Sequence, residues 1–320
     1  MFITTFIAAF LAVCRIALIA GAGFFLVKKK ILSQEDIRAI SRGVVCFFLP
    51  CLIFAKITQG FDPSMESWWK FPLSAVFVFA AGLITMMIVF RGLPRLKELI
   101  PLSVLQNAGY LVLPIGQSLL PDRYDEFAVY TFLFIMVQSP LLWSVGPYCI
   151  ASEKHGTGWK RIINPPFVAI LVSLALVFSG LNTSIPGVIN HTATLAGDAA
   201  VPMSIFILGG GLGMLRWARP ANLGGLCLAA VNKLVLVAVF FMPAVSVLGW
   251  VGTNEVFEKM LLLQCCMPPA VGLMIQAKNY DGDQQRISAG LLIAYVCSLL
   301  TIPLVISVWA AVRFLFVSVG

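Results

Sequence analysis

Charge is what this chain has least of. Only 11% of its 320 residues are Asp, Glu, Lys or Arg and 60% are hydrophobic, whereas soluble domains carry roughly 25% charged residues. An ordinary soluble domain is excluded, and the composition is that of an integral membrane protein. Histidine is nearly absent: His155 and His191 are the only two, and they fall on opposite sides of the expected membrane. The eight cysteines all lie in apolar runs, with no CxxC pair and no His at metal-ligand spacing. These absences speak against a zinc site and a Cys/His catalytic pair. No cluster of His, Asp or Glu shares one membrane depth, which disfavours a membrane enzyme. Gly209, Gly210, Gly211 and Gly213 imitate a nucleotide loop, but no strand precedes them and they sit in an apolar span, so close helix packing is the better reading. No cofactor is expected. Nucleic acid is not an expected partner either, because the basic residues are scattered over short loops.

What is present is a series of apolar runs of about 20 residues, the length that crosses a bilayer as a helix. Ten spans are predicted near 5–27, 43–59, 71–90, 99–120, 127–149, 164–181, 196–215, 222–248, 258–277 and 287–312. Loops after odd spans carry fifteen basic residues: Lys28, Lys29, Lys30, Arg38, Arg42, Arg91, Arg95, Lys97, Lys154, Lys160, Arg161, Arg216, Arg219, Lys278 and Arg286. The other side has five. By the positive-inside rule the odd-span loops are cytoplasmic and both termini extracytoplasmic, in the cell's inner (plasma) membrane. The first span is followed rather than preceded by lysines and is too long for a signal-peptide core, so it is expected to be retained. Ser33 and Asp36 form a capping-box pattern that predicts an interfacial helix before span 2. Asn164 followed by Pro165 predicts a capped start for span 6.

The two halves show ordered similarity. Pro50 in LPCLIF matches Pro202 in VPMSIF, Pro114 matches Pro269, and Pro140 in PLLWSV matches Pro303 in PLVISV. The spacing drifts slowly upward, as a duplication with loop insertions would leave it. Five spans per half is an odd number, so the repeats must be inverted. The expected domains are a first repeat over 1–150, a short cytoplasmic linker over 151–163, and an inverted second repeat over 164–320.

Two spans at matching places are interrupted, Gln106 to Gly116 and Gln264 to Gly272. Interrupted backbone is tolerated at membrane depth only where protein or a watery cavity satisfies the freed groups. A matched pair of such breaks points to the substrate site of a secondary transporter. Asn107 is expected there, since its amide can donate to a carboxylate and accept from a freed backbone N–H; an interhelical clasp is the alternative. Gln106, Pro114, Pro268, Pro269 and Cys266 complete the candidate site. Lys233 lies near the centre of span 8, where a cation is costly without a cavity or partner. Substrate electrostatics, a structural tie to carbonyls or Asp198, and proton coupling all remain open to it. Arg15, as deep in span 1, reads first as structural. Arg15 and Asp198 stand as candidate charge partners or coupling residues.

The pattern resembles the auxin efflux carrier family, which includes bacterial permeases and plant PIN-type carriers. The resemblance rests on Leu32-Ser33, Ser41-Arg42, Phe48-Leu49-Pro50, the spacing from Asn107 to Pro114, Asn164-Pro165, Ala200-Val201-Pro202, and Met267-Pro268 with Ala277-Lys278-Asn279-Tyr280. It implies ten helices in a 5+5 inverted repeat, with helices 4 and 9 crossing at their prolines beside a substrate carboxylate. It also implies a homodimer in the lipid membrane and elevator motion of helices 3–5 and 8–10. Asn107 falls on the family's crossover asparagine, and a basic residue in helix 8 is usual. Leu273 stands where plant members carry a further proline, and Arg15 is not a usual family residue.

The expected function is secondary transport of small organic anions, with malate- or malonate-like dicarboxylates and indole-acetate-like monocarboxylates as candidates the resemblance supplies. Efflux or exchange is favoured. The alternatives are proton- or sodium-coupled uptake and a non-transporting sensor on the same fold.

Overall fold

The computed structural model describes residues 2–65, 67–91, 97–151, 163–215 and 222–317. Most of the expected linker at 151–163, together with Arg95, Lys154, Lys160, Arg161, Arg216 and Arg219, lies outside them. The described chain is all helix, with no strand. In order the helices are α1 (Phe2–Lys28), α2 (Gln34–Gly43), α3 (Leu49–Gly60), α4 (Lys70–Val89), α5 (Leu99–Val104), α6 (Val112–Leu119), α7 (Tyr124–Ile150) and α8 (Pro165–Phe178). They continue with α9 (Gly187–Asp198), α10 (Ala200–Met214), α11 (Leu223–Val231), α12 (Val237–Val247), α13 (Glu255–Cys266), α14 (Gly272–Asn279), α15 (Gln284–Val312) and the short α16 (Phe314–Val317).

Among the described residues, seven helical stretches are long and apolar enough to cross a membrane by themselves. The remaining apolar helices are the short α8 and the two interrupted pairs, α5 with α6 and α13 with α14.

The start signals act as their chemistry requires. Ser33 Oγ accepts from the Asp36 N–H at 3.1 Å, and Asp36 returns a bond to the Ser33 N–H at 2.8 Å. Asn164 Oδ1 accepts from the Phe167 N–H at 3.0 Å, with Pro165 opening α8 where a missing N–H costs nothing. One expectation is corrected. α2 is not a separate interfacial helix; it runs through a π-helical turn at Val44–Phe48 into α3, giving one stretch over Gln34–Gly60. The π turn absorbs the change without breaking the hydrogen-bond ladder.

Glycine sets the closest helix contact. α1 packs along α10, where a Cβ on Gly209 would run into the Ala20 carbonyl and one on Gly23 into the Phe206 carbonyl. The glycine run of α10 is therefore a packing surface, as the sequence suggests. At one end of the bundle, buried Glu258 accepts from Trp309 Nε1 at 2.8 Å and pairs with Arg313 at 3.2 Å, joining α13 to α15. Nearby, Asn254 caps α13 and donates to Glu126 of α7 at 3.1 Å.

Replacing Gly209 with Leu should push α1 from α10 and cost about 1–3 kcal/mol. A thermal unfolding curve in detergent is the check. An unchanged midpoint would show that the close approach is not needed for stability.

Candidate functional site: the meeting of two interrupted helices

Proline dictates the geometry of the second break. In an α-helix, the carbonyls of Gln264 and Cys265 would accept from the N–H groups of residues 268 and 269. Both of those residues are proline and have no N–H. α13 therefore ends at Cys266, and the chain runs extended through Met267 to Ala270 before α14 begins.

The first break mirrors it. α5 ends at Val104, and Leu105 to Asn107 are extended before α6 starts at Val112. The two extended segments meet as an isolated antiparallel bridge between Gln106 and Pro269. Asn107 N–H donates to the Pro268 carbonyl at 2.8 Å, and Ala270 N–H donates to the Leu105 carbonyl at 2.9 Å. Such a bridge needs no N–H from residues 268 or 269, so the double proline does not obstruct it.

Side chains satisfy what remains. Lys233 is fully buried, and its ammonium donates to the carbonyls of Gln264 at 3.3 Å and Cys265 at 3.0 Å. These are the two carbonyls that the prolines leave without donors. Its neighbour Asn232 donates to the Ser103 carbonyl of α5 at 3.3 Å and to the Gly82 carbonyl of α4 at 3.2 Å. Ser103 would ordinarily pair with the Asn107 N–H, which is committed to Pro268 instead. Both residues sit on a π-helical turn at Asn232–Leu236 between α11 and α12. From that turn they hold the ends of both interrupted helices. Gln264 Nε2 donates to the Ala108 carbonyl at 3.1 Å, and Gln138 Nε2 to the Gln106 carbonyl at 3.1 Å.

Asn107 organises the turn that leads into α6. Its Oδ1 accepts from the Tyr110 N–H at 3.1 Å, and its Nδ2 donates to Tyr295 Oη at 2.8 Å. It is 5% exposed and lines a cavity of about 1240 Å³. Gln106, Tyr110, Pro114, Gln138, Val271 and Gly272 also line this cavity, at the point where α6 and α14 begin. The cavity reaches the protein face bearing Lys30, Arg38, Arg42 and Lys278. Small-ligand sites usually measure about 300–1,000 Å³, so there is room for a small organic molecule and water. Among the described residues, no group of three metal-ligating side chains converges.

The sequence candidates thus separate into two sets. Asn107, Gln106 and Pro114 line the cavity; Pro268, Pro269, Cys266 and Lys233 do not. Each of those four has a structural partner instead. The prolines are used in the bridge, Cys266 is sealed in the core with its thiol directed at the Leu263 carbonyl, and Lys233 caps orphaned carbonyls. Of the roles open to Lys233, the structure shows the tie to carbonyls, and its partner is not Asp198. Arg15 lies on the exposed side of α1, and Asp198 is exposed where α9 gives way to α10. No ion pair joins them among the described residues. The sequence reading missed Asn232, Gln138 and Tyr295. Each is a polar group inside an apolar span, and that was the available signal.

Helices interrupted at a shared centre, beside a cavity and inside a bundle of membrane-length helices, define a membrane transport protein. A family model described as "Membrane transport protein" matches the chain over residues 8–158 and 155–306. The chain belongs to that family, the auxin efflux carrier family its motifs resemble. It is 22% identical to Protein PIN-LIKES 1 of Arabidopsis thaliana, across 91% of this chain and 76% of the relative. It is likewise 22% identical to Protein PIN-LIKES 7 of the same plant, across 95% and 96%. An uncharacterized transporter of Methanothermobacter thermautotrophicus is 24% identical across 88% of this chain and 92% of its own length.

Replacing Lys233 with Met should leave two buried carbonyls unpaired and cost about 2–4 kcal/mol. The thermal midpoint should fall while any preference for an anion over its uncharged isostere persists. An unchanged midpoint with lost anion preference would instead put the ammonium in the substrate path.

Proposed function

We propose that this chain is a secondary carrier of small organic anions, working by efflux or exchange. The observation that carries the reading is the meeting of two interrupted helices, through the bridge between Gln106 and Pro269, at a cavity whose inner lining is mostly apolar and uncharged. Two half-helices, α6 and α14, start at that cavity, and the positive ends of their dipoles favour a carboxylate. Asn107 holds the turn before α6 and stands at the cavity wall, where its amide can register the ligand. An apolar lining suits a carbon skeleton, so an anion with one carboxylate and a hydrophobic body fits better than a dicarboxylate. Without a fixed cation at depth, a second carboxylate would be desolvated unpaired.

In this reading the seven long stretches, α8 and the two interrupted pairs make ten crossings, arranged as inverted repeats over 1–150 and 164–320 and joined through 151–163. Helices 3–5 and 8–10 then move as one body against the remainder, exposing the cavity alternately by an elevator motion, in a homodimer in the plasma membrane. The basic residues at the cavity mouth make that side cytoplasmic by the positive-inside rule, with both termini outside. Energy comes from gradients: an inside-negative potential of 100 mV favours exit of one negative charge by about 2.3 kcal/mol.

The test is flux in proteoliposomes with labelled indole-3-acetate, malate and malonate. Indole-3-acetate efflux should accelerate under a potassium-diffusion potential and be indifferent to sodium. Uptake that disappears when sodium is withdrawn would overturn the uncoupled reading in favour of a symporter, and binding without flux would favour a sensor.

Asn107→Ala should lower flux by at least roughly tenfold, the scale of one lost hydrogen bond of about 1.4 kcal/mol or more at the site. Its elution as a folded protein should not change. Wild-type flux with unaltered affinity would remove Asn107 from the site.

A further inference from the structure

The cavity separates its charges by depth. Four charged side chains line it, and all are cations: Lys30, Arg38, Arg42 and Lys278. Each is exposed, and none forms a salt bridge among the described residues. No described acid lines the cavity. Further in, Gln106, Asn107, Gln138, Ser204 and Ser288 are neutral, and the nearby buried cation, Lys233, is turned onto the Gln264 and Cys265 carbonyls.

We propose that Lys30, Arg38, Arg42 and Lys278 form a capture ring. It concentrates anions at the mouth and sets their association rate, while the neutral interior, which the ring does not touch, sets how long they stay. This deepens the anion-carrier reading and rests on it for its biological meaning. Clefts lined by one sign of charge focus the field between low-dielectric walls and speed association without adding contacts to the bound state. Release is served by the same division, because no salt bridge must break at depth.

Basic residues on this side also act as topology signals, but that role asks only that they lie in the loops. These four instead converge on one opening from three places: the end of α1, the face of α2 and the last turn of α14. Lys30 adds a second observation. It stops α1 in the left-handed region, with φ 58°, while Ile31 N–H reaches back to the Leu26 carbonyl. Glycine takes that position at less cost. A lysine there keeps an ammonium at the rim in a conformation that its own backbone disfavours.

Cys46, on the π turn between α2 and α3, is exposed and lines the same cavity, so it reports the potential without any substrate. Full-length protein in phosphatidylcholine nanodiscs would be treated with anionic sulfonatoethyl methanethiosulfonate or cationic trimethylammonioethyl methanethiosulfonate. Peptide mass spectrometry would follow Cys46, with each rate divided by that of a free thiol. The anionic reagent should be favoured by roughly tenfold at low salt. The preference should vanish near 1 M salt, where the screening length is about 3 Å, and in the combined K30Q, R38Q, R42Q and K278Q variant. A wild-type ratio near one, or one that salt does not move, overturns the ring; the salt arm decides even where the combined variant fails to fold. Lys30→Gly should raise the thermal midpoint yet lower the ratio, and an unchanged ratio would count against the ring by returning Lys30 to a topology role alone. Absent flux with an intact thiol ratio would sink the carrier reading and leave the ring standing.

Discussion

A peptide carbonyl buried in hydrocarbon must find a donor, and the centre of this protein is organised around that requirement. Pro268 and Pro269 withdraw two N–H groups from one helix, and the antiparallel bridge diverts the Asn107 N–H from another. Lys233 and Asn232, neighbours on one π-helical turn, supply the missing donors to both helices. An ammonium carries three N–H donors on a flexible stem, which suits it to two carbonyls that diverge at a frayed helix end. Remove that turn, and the ends of α5 and α13 are left with carbonyls that no N–H reaches.

The same accounting explains why the binding cavity is neutral inside. A buried cation without partners is costly, and Lys233, fully buried in this bundle, is used structurally. What remains for ligand recognition is weaker and more easily reversed: amides, hydroxyls and the starts of two short helices. A carrier must release what it binds, and a site without a fixed counter-charge avoids a deep trap. Under the proposed anion-carrier reading, specificity would depend more on shape and on the carbon skeleton than on counting charges.

Much of this was legible in the chain. The apolar runs and the basic loops gave the helical membrane class, and Pro114, Pro268 and Pro269 marked both breaks. Asn107 could be singled out because an amide beside Gly109 and Pro114 signals irregular backbone. Lys233 was correctly seen as a problem needing a solution, but a sequence does not say which carbonyls lack partners until the two crossing segments are placed together. Asn232 was hidden for the same reason. The run from α2 into α3 was misread because a capping box announces where a helix starts and says nothing of where it ends. Cys266, Pro268 and Pro269 adjoin the second break in sequence, but the part of it that lines the cavity is Ala270, Val271 and Gly272.

α8 carries a consequence of a different kind. At 1.5 Å per residue its 14 residues extend about 21 Å, well short of a hydrocarbon core of about 30 Å. Val168, Leu171, Val172 and Phe178 leave one of its faces exposed in the single chain. In the proposed ten-crossing arrangement, lipid meeting that face would have to thin locally, at a modest cost for each ångström of mismatch. Membrane thickness would then be a variable to which this protein is coupled: thick, sterol-like bilayers would strain that flank, and thin ones would relieve it.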